Sequence, residues 1–506
     1  VRSEVFVGSE AEQYLRVLQV AGDAPWYPWS VRGFGPGEID RMAPADSAHP
    51  WRAHYGLERD TLRGTRFRWV RPDARVILNS GFPFGGNDGP VWAGRGATVA
   101  VQGGFSVRTG PLSLTLAPVA FVAQNAGFDL ADTGFDDGRL VYADPRAPRN
   151  IDLPQRFGDG AYARVDPGES TLRLELAGVA VGASTASQQW GPAADLPLLL
   201  GHNAGGYPHA FVGSSRPLNV GIGRVHGRLV WGVLDQSAYA VDSLQYTRRF
   251  MSGVVALFTP RGAPGLEVGG ARFFHTPVGT GIDAGSLLKP FEGILKSGLI
   301  GADDDGSDVD NQLASVFFRW AFPRSGFETY GEYAREDHSF DANDFLQEPD
   351  HDAGYMLGLR RVWRRAPGEL LSLRAELLNT QVSHLNAVRE QTFFYSHGGA
   401  RQGHTLRGQV LGAPSGYGGG GALVAVDRYT PAGRWTARYT RARGGPLGLE
   451  FRERAPDVTH ALGVERLWFR GRVEVAAGLA GAFQANRNQG DNAFNANATL
   501  RFRAGL

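Results

Sequence analysis

Two stretches of the 506-residue chain concentrate side chains able to grip a ligand: "QQWGPAADLPLLLGHNAGGYP" (188–208) and "FYSHGGARQGHTLRGQVLGAPSG" (394–416). They carry Trp190, Tyr207 and Tyr395, with Tyr417 just beyond, and beside these His202, Asn203, His397, Arg401, His404 and Arg407. Flat aromatic faces cover CH-rich ligand surfaces, planar polar groups satisfy hydroxyls, and arginine holds a carboxylate through two parallel hydrogen bonds. The same residues also suit an internal role. Trp190, Gly191 and Pro192 can fold a loop inward, with His202 and Asn203 satisfying its backbone groups, while Arg401 and Arg407 enter ion pairs. Residue types alone leave both readings open.

A third stretch, "GADDDGSDVDN" (301–311), aligns Asp303, Asp305, Asp308 and Asp310 as hard oxygen donors suited to calcium. Its spacing misses the helix-loop-helix calcium pattern, so a solvated acidic loop is the competing reading. No Gly-x-Ser-x-Gly elbow, His-Glu-x-x-His helix or phosphate-binding glycine loop stands in a suitable context. The expectation is a protein that is not an enzyme and needs no cofactor, calcium excepted.

These stretches must be held by strands. Glycine supplies 70 of 506 residues, about twice the usual ~7%, as suits many turns and close backbones in an antiparallel sheet. Cysteine is absent, which removes disulfides and thiolate metal sites. A net charge of +1 gives no footprint for nucleic acid. No apolar run reaches the ~18 residues of a membrane helix, yet a barrel strand is apolar only at alternate positions.

Such alternation recurs along the chain. Leu172, Leu174 and Leu176 oppose Arg173 and Glu175. Val99, Val101, Phe105 and Val107 share one face with Gly103, and Leu112, Leu114 and Leu116 share another. Further runs surround Trp231, Phe318, Leu373, Ala437, Val475 and Leu500. From near residue 66 to the end, about 440 residues divided among about 18 strands leave roughly 25 each, enough for ~10 membrane residues and a connection. Unpaired edges cannot face lipid, so the pattern predicts an all-β, transmembrane antiparallel β-barrel of about 18 strands. A soluble propeller competes, but no repeat of 40 to 50 residues is present, and arginine with glutamate on the second face suits a wet lumen. Trp231, Trp320, Trp363, Trp435 and Trp468 stand near strand ends, where interfacial girdles form.

Residues 1–62 differ in kind. Ser9 and Glu12 have capping-box spacing ahead of Tyr14, Leu15 and Leu18, and Gly22 ends the pattern. A second helical turn is expected at 35–42 after Pro36, with "PWYPWS" (25–30) as the linker. So small a helical segment is marginal alone and is expected at the periplasmic mouth or in the lumen of the 63–506 barrel.

The order of these blocks resembles the outer-membrane capsule-assembly family called Wzi. The resemblance rests on "QQWGP" with its leucine-rich stretch and "GHNAGGYP", on the 394–416 block, and on "YLRVLQVAG" followed by "WYPWSVRGFGPGEIDRM". Ala400 and His404 stand where that family's pattern has bulkier aromatics. The resemblance implies a largely occluded barrel in the bacterial outer membrane, reached after removal of a signal peptide, acting as a lectin that anchors capsular or other surface polysaccharide. Outer-membrane lipid, lipopolysaccharide and other envelope proteins are the further partners it implies. A diffusion porin, or a structural component of a larger envelope assembly, is the alternative that strand number and a polar second face also allow.

Overall fold

The computed structural model describes residues 5–44, 51–57, 64–136, 138–240, 247–278, 284–291, 310–336, 346, 349–382, 392–445 and 456–504. Eighteen antiparallel strands close into one barrel. In chain order they are β1 (Arg66–Asn79), β2 (Gly96–Thr109), β3 (Leu112–Leu116, continued as Val119–Ala123), β4 (Tyr162–Asp166, continued as Thr171–Leu176), β5 (Val179–Ser184) and β6 (His209–Ser214, continued as Leu218–Asn219). There follow β7 (Gly223–Asp235), β8 (Arg248–Pro260), β9 (Leu266–Pro277), β10 (Asn311–Phe322), β11 (Phe327–Glu336) and β12 (Ala353–Ala366). The last six are β13 (Glu369–Asn379), β14 (Gly420–Thr430), β15 (Gly433–Arg443), β16 (Val458–Arg470), β17 (Val473–Ala485) and β18 (Ala493–Ala504). Neighbours in sequence are neighbours in the wall, and β18 returns to β1 from Asp73↔Arg503 to Asn79↔Asn497, so the circuit closes on itself.

The wall is apolar outside and charged inside, the reverse of a soluble protein. On β12, Tyr355, Leu357 and Leu359 are exposed while Met356 and Arg360 are buried. Leu462 and Val464 on β16 and Leu479 on β17 are likewise exposed, whereas Arg319, Glu328, Arg374, Glu376 and Asp427 point inward and are buried. Such a belt is stable only against hydrocarbon, and among the described residues no helix is long and apolar enough to cross a membrane, so strands do the crossing.

The two ends differ. Eight turns of two to five residues, such as 110–111 and 471–472, join the strands at one end, and every connection at the other is longer. Trp320, Trp363 and Trp435 are exposed beside the short turns, with Trp69 on the same side and Trp468 half-exposed. This forms an aromatic ring at that end. Trp231 sits nearer the long connections.

The N-terminal segment folds inside the short-turn end. Helix α1 (Glu10–Ala21) starts where the Ser9 hydroxyl accepts from the Glu12 amide at 3.3 Å and Glu12 reaches back to the Gly8 amide at 2.8 Å. It stops at Gly22, whose φ of 79° suits a residue without Cβ. Helix α2 (Pro36–Met42) has Pro36 at its first position, and Glu38 accepts from the Gly35 amide at 2.7 Å. A short third helix, α3 (Trp51–Tyr55), packs Trp51 against Tyr14, Tyr429 and Phe469. Every residue of helix α1 except Gln13 is buried, a burial that an enclosing wall provides.

Candidate functional site

Two long connections leave the wall and turn into the lumen: 185–208 between β5 and β6, and, between β13 and β14, a connection described at 380–382 and 392–419. They pair with the N-terminal segment and with each other. Val31 and Arg32 form a two-residue ladder with Trp190 and Gln189, and Trp190 also bridges Leu200. Thr405–Leu406 folds back on Gln409–Val410, and Gly201 donates to the Leu411 carbonyl at 2.9 Å. Leu198, Leu199, Leu200, Tyr395 and Leu411 share an apolar core with Phe273 and Met356 from the wall.

Wall charges complete the backbone hydrogen bonding of this plug. Glu376 accepts from three successive amides, Ala194 (2.5 Å), Asp195 (2.9 Å) and Leu196 (2.8 Å), and from the Tyr330 hydroxyl (2.7 Å). Glu267 accepts from the Trp29 and Ser30 amides at 3.0 and 3.1 Å. Arg249 donates to the Gly403 and Thr405 carbonyls. A carboxylate facing several N–H groups is among the stronger arrangements in a site with little water. The lumen keeps cavities of about 110 Å³ and 140 Å³, room for a few waters.

Most of the ligand-gripping residues expected from sequence are members of this plug. Trp190 is fully buried, its Nε1 donating to Gln188 at 3.3 Å and its ring meeting Phe273 edge-on at 5.8 Å. The approach is so close that a Cβ on Gly253 would stand 2.6 Å from the indole. Tyr207 is buried against Met251, and Tyr395 is buried with its hydroxyl on the Leu198 carbonyl. His404 is buried too, stacked on Tyr395 and 2.9 Å from His275. None of these rings presents a face to solvent. Asn203 ties the two blocks together, donating to the Val410 carbonyl at 2.9 Å and accepting from the Asn87 amide at 3.2 Å. His202 lies 2.9 Å from the Ser187 hydroxyl.

Burial sets the charge states inside the plug. It pushes His202 down to about 4 and His404 down to about 3, so both rings are neutral near pH 7. It pushes Glu10 up to about 7 against the pull of Arg434. At Glu38 burial also disfavours ionisation, but Arg173, His226 and Arg228 outweigh it and hold the carboxyl well below its ordinary range.

Arg407 forms ion pairs with Asp166 at 2.8 Å and Asp235 at 3.2 Å. Arg401 and His397 are different. Arg401 is exposed on the long-loop face, and half-exposed His397 has its amide on the Asn150 carbonyl at 3.0 Å. Around them the 124–161 loop contributes groups that sequence reasoning did not single out. Tyr142 and Tyr239 meet at 5.6 Å, Tyr142 donates to Asp159 at 2.6 Å, and exposed Arg149 lies over Phe135 at 5.1 Å. Asp152 pins this loop to Ser237, and its amide donates to the Gln402 carbonyl at 2.9 Å. The result is an outward ledge of half-exposed rings, guanidinium groups and a carboxylate. No local motif marks it, because three separate connections build it.

Asp303, Asp305 and Asp308 lie outside the described residues, and Asp310 pairs with Lys289. Among the described residues no group of three or more histidines and carboxylates could hold a metal ion.

Comparison with known proteins places this architecture. A solved structure of Wzi from Escherichia coli, described as an outer-membrane protein involved in group 1 capsule assembly and a carbohydrate-binding β-barrel, matches with a TM-score of 0.66 at 14% identity, covering 99% of each chain. OccAB3 of Acinetobacter baumannii gives a TM-score of 0.40 at 9% identity, covering 87% of this chain and 98% of its own. OpdQ of Pseudomonas aeruginosa gives 0.42 at 8%, covering 87% and 98%. No curated protein sequence matches. The family model described as capsule assembly protein Wzi matches residues 87–495, and with it the chain belongs to the Wzi family of outer-membrane β-barrels.

Proposed function

We propose that this barrel binds surface polysaccharide and anchors it at the cell, by adsorption and without chemical turnover. One observation carries the reading: the lumen is filled by α1 and the two inward connections, while among the described residues the long-loop face carries exposed or half-exposed Tyr142, Tyr239, Arg149, His397 and Arg401. Family membership and the likeness to a carbohydrate-binding barrel support it. Half-exposed rings suit sugar CH faces, and exposed guanidinium groups suit uronate or pyruvate carboxylates. On this reading the plug residues keep the ledge in shape, and the long loops are also where other envelope proteins meet the barrel.

The test pairs two measurements on the full chain. Purified protein should bind the host's capsular polysaccharide in calorimetry, and a deletion strain should shed capsule into the medium. Binding with near-silent planar-bilayer recordings supports an occluded lectin. A large steady current without glycan binding returns the barrel to the porins.

A further inference from the structure

A line of irregularity crosses one sector of the wall. On β1 the register slips between Val70 and Asp73, around Pro72. On β3 pairing breaks between Leu116 and Val119, around Pro118, and on β4 between Asp166 and Thr171, around Pro167. On β5 and β6 the wall simply stops, at Ser184 and His209, next to Pro208. Proline has no N–H for a ladder, so Pro72, Pro118 and Pro167 within three strands and Pro208 at the edge of a fourth mark where pairing slips or ends.

Beyond that line the chain of β5 and β6 has gone inward to build the plug. Tyr162–Asp166 pairs with Val119–Ala123 on one side, and no strand among the described residues pairs with its other edge. Across from it, Val233 still donates to the Pro208 carbonyl at 3.0 Å, and Leu234–Asp235 pairs as a strand only with β8. Arg407 stands between the two edges, with its guanidinium on Asp166 and Asp235 and its amide on the Asp235 carbonyl at 2.9 Å.

On the outer surface this fault is a groove of about 720 Å³ lined by Leu114, Leu116, Leu172, Ala183, Ala210 and Trp231. Hydroxyls at its floor are turned to protein. Thr171 and Ser184 share a hydrogen bond of 2.6 Å, Ser170 donates to the Pro167 carbonyl at 2.6 Å, and Thr185 donates to the Gly168 carbonyl at 2.8 Å. The groove therefore offers hydrocarbon an apolar surface with no unmet polar group on those side chains.

We propose that this groove is a binding site for acyl chains of lipopolysaccharide. It is continuous with the hydrocarbon-facing belt through Leu172, Leu174, Val179 and Val181, all exposed. It lies at the long-connection ends of β5 and β6, which face the outer leaflet when short turns are periplasmic. Water in an apolar recess below the headgroups is costly, and an empty recess forfeits dispersion contacts, so a chain of the surrounding leaflet is the occupant. The site is independent of the glycan-binding ledge.

The test is native mass spectrometry of the full chain after incubation with rough lipopolysaccharide, then with phosphatidylethanolamine, and exchange into mild detergent. Ala183→Trp and Ala210→Phe fill the groove from two strands, and Leu462→Trp places an indole on the outer surface of distant β16. Heat-modifiable gel migration selects folded barrels. Wild type and Leu462→Trp should retain lipopolysaccharide, while either groove variant that folds should lose it by roughly tenfold, the worth of about two buried methylenes. Equal retention by all barrels, no retention by wild type, or preferential retention of phosphatidylethanolamine would each overturn the proposal.

Discussion

Arg16 of α1 donates through Nε to Glu328 of the barrel wall at 2.9 Å, both side chains being almost wholly removed from solvent. Glu328 is shared with Arg319 at 2.7 Å and Arg360 at 3.3 Å, and Arg319 continues to Glu267 at 2.6 Å. Truncating one member of a buried charge network leaves the others uncompensated. Arg16→Ala is expected to destabilise the folded barrel by about 3 kcal/mol, read from urea unfolding in detergent, with brief current openings that wild type lacks.

Glu376 gives a sharper test of how the plug is held, because three successive amides depend on it. Glu376→Ala should speed hydrogen exchange at Ala194, Asp195 and Leu196 by more than tenfold, each orphaned donor costing about 1–3 kcal/mol. Glu376→Gln keeps one acceptor oxygen and should fall between alanine and wild type. Uniform exchange in all three proteins would remove the clamp.

Acid should loosen the plug through its histidines. His202 and His404 have folded values of about 4 and 3, below the ordinary 6.5. Depressed values contribute stability that is present above pH 6.5 and lost as pH falls toward 4 and 3. Glu10 has the opposite sign. Its raised value of about 7 contributes stability below pH 4.5 that is lost as pH rises through 7. Melting temperature against pH should therefore flatten between 6.5 and 4 in His202→Asn, and flatten between 4.5 and 7 in Glu10→Gln.

Glycan affinity and plug integrity should separate by residue. Arg401→Ala and Arg149→Ala should each weaken anionic polysaccharide about two- to fivefold, as exposed charge contacts do, without changing unfolding. Trp190→Ala should cost about 3–5 kcal/mol of stability while folded molecules keep wild-type affinity in calorimetry. Affinity lost only with Trp190 would relocate the binding surface to the lumen.

The wall was legible in sequence because membrane strands alternate strictly: Leu172, Leu174 and Leu176 read outward from residue type, as do Val99 and Val101. The capped start of α1 at Ser9 and its stop at Gly22 follow from local chemistry. The roles of Trp190, Tyr207, Tyr395 and His404 were not readable, since a ring suited to sugar is equally suited to a core, and only the path of the chain decides. The ledge residues Tyr142, Tyr239 and Arg149 were invisible for another reason. They come from connections far apart in sequence and gain meaning where Asp152 meets Ser237 and Gln402.

The contacts of α1 also order the assembly of the molecule. Its side chains bond to Glu328 on β11 and Arg434 on β15, while Arg364 on β12 reaches the carbonyl end at Ala21. Helix α1 thus has no complete seat until the fifteenth strand exists. Those twelve residues precede the barrel strands in the chain yet dock only after most of the wall is in place.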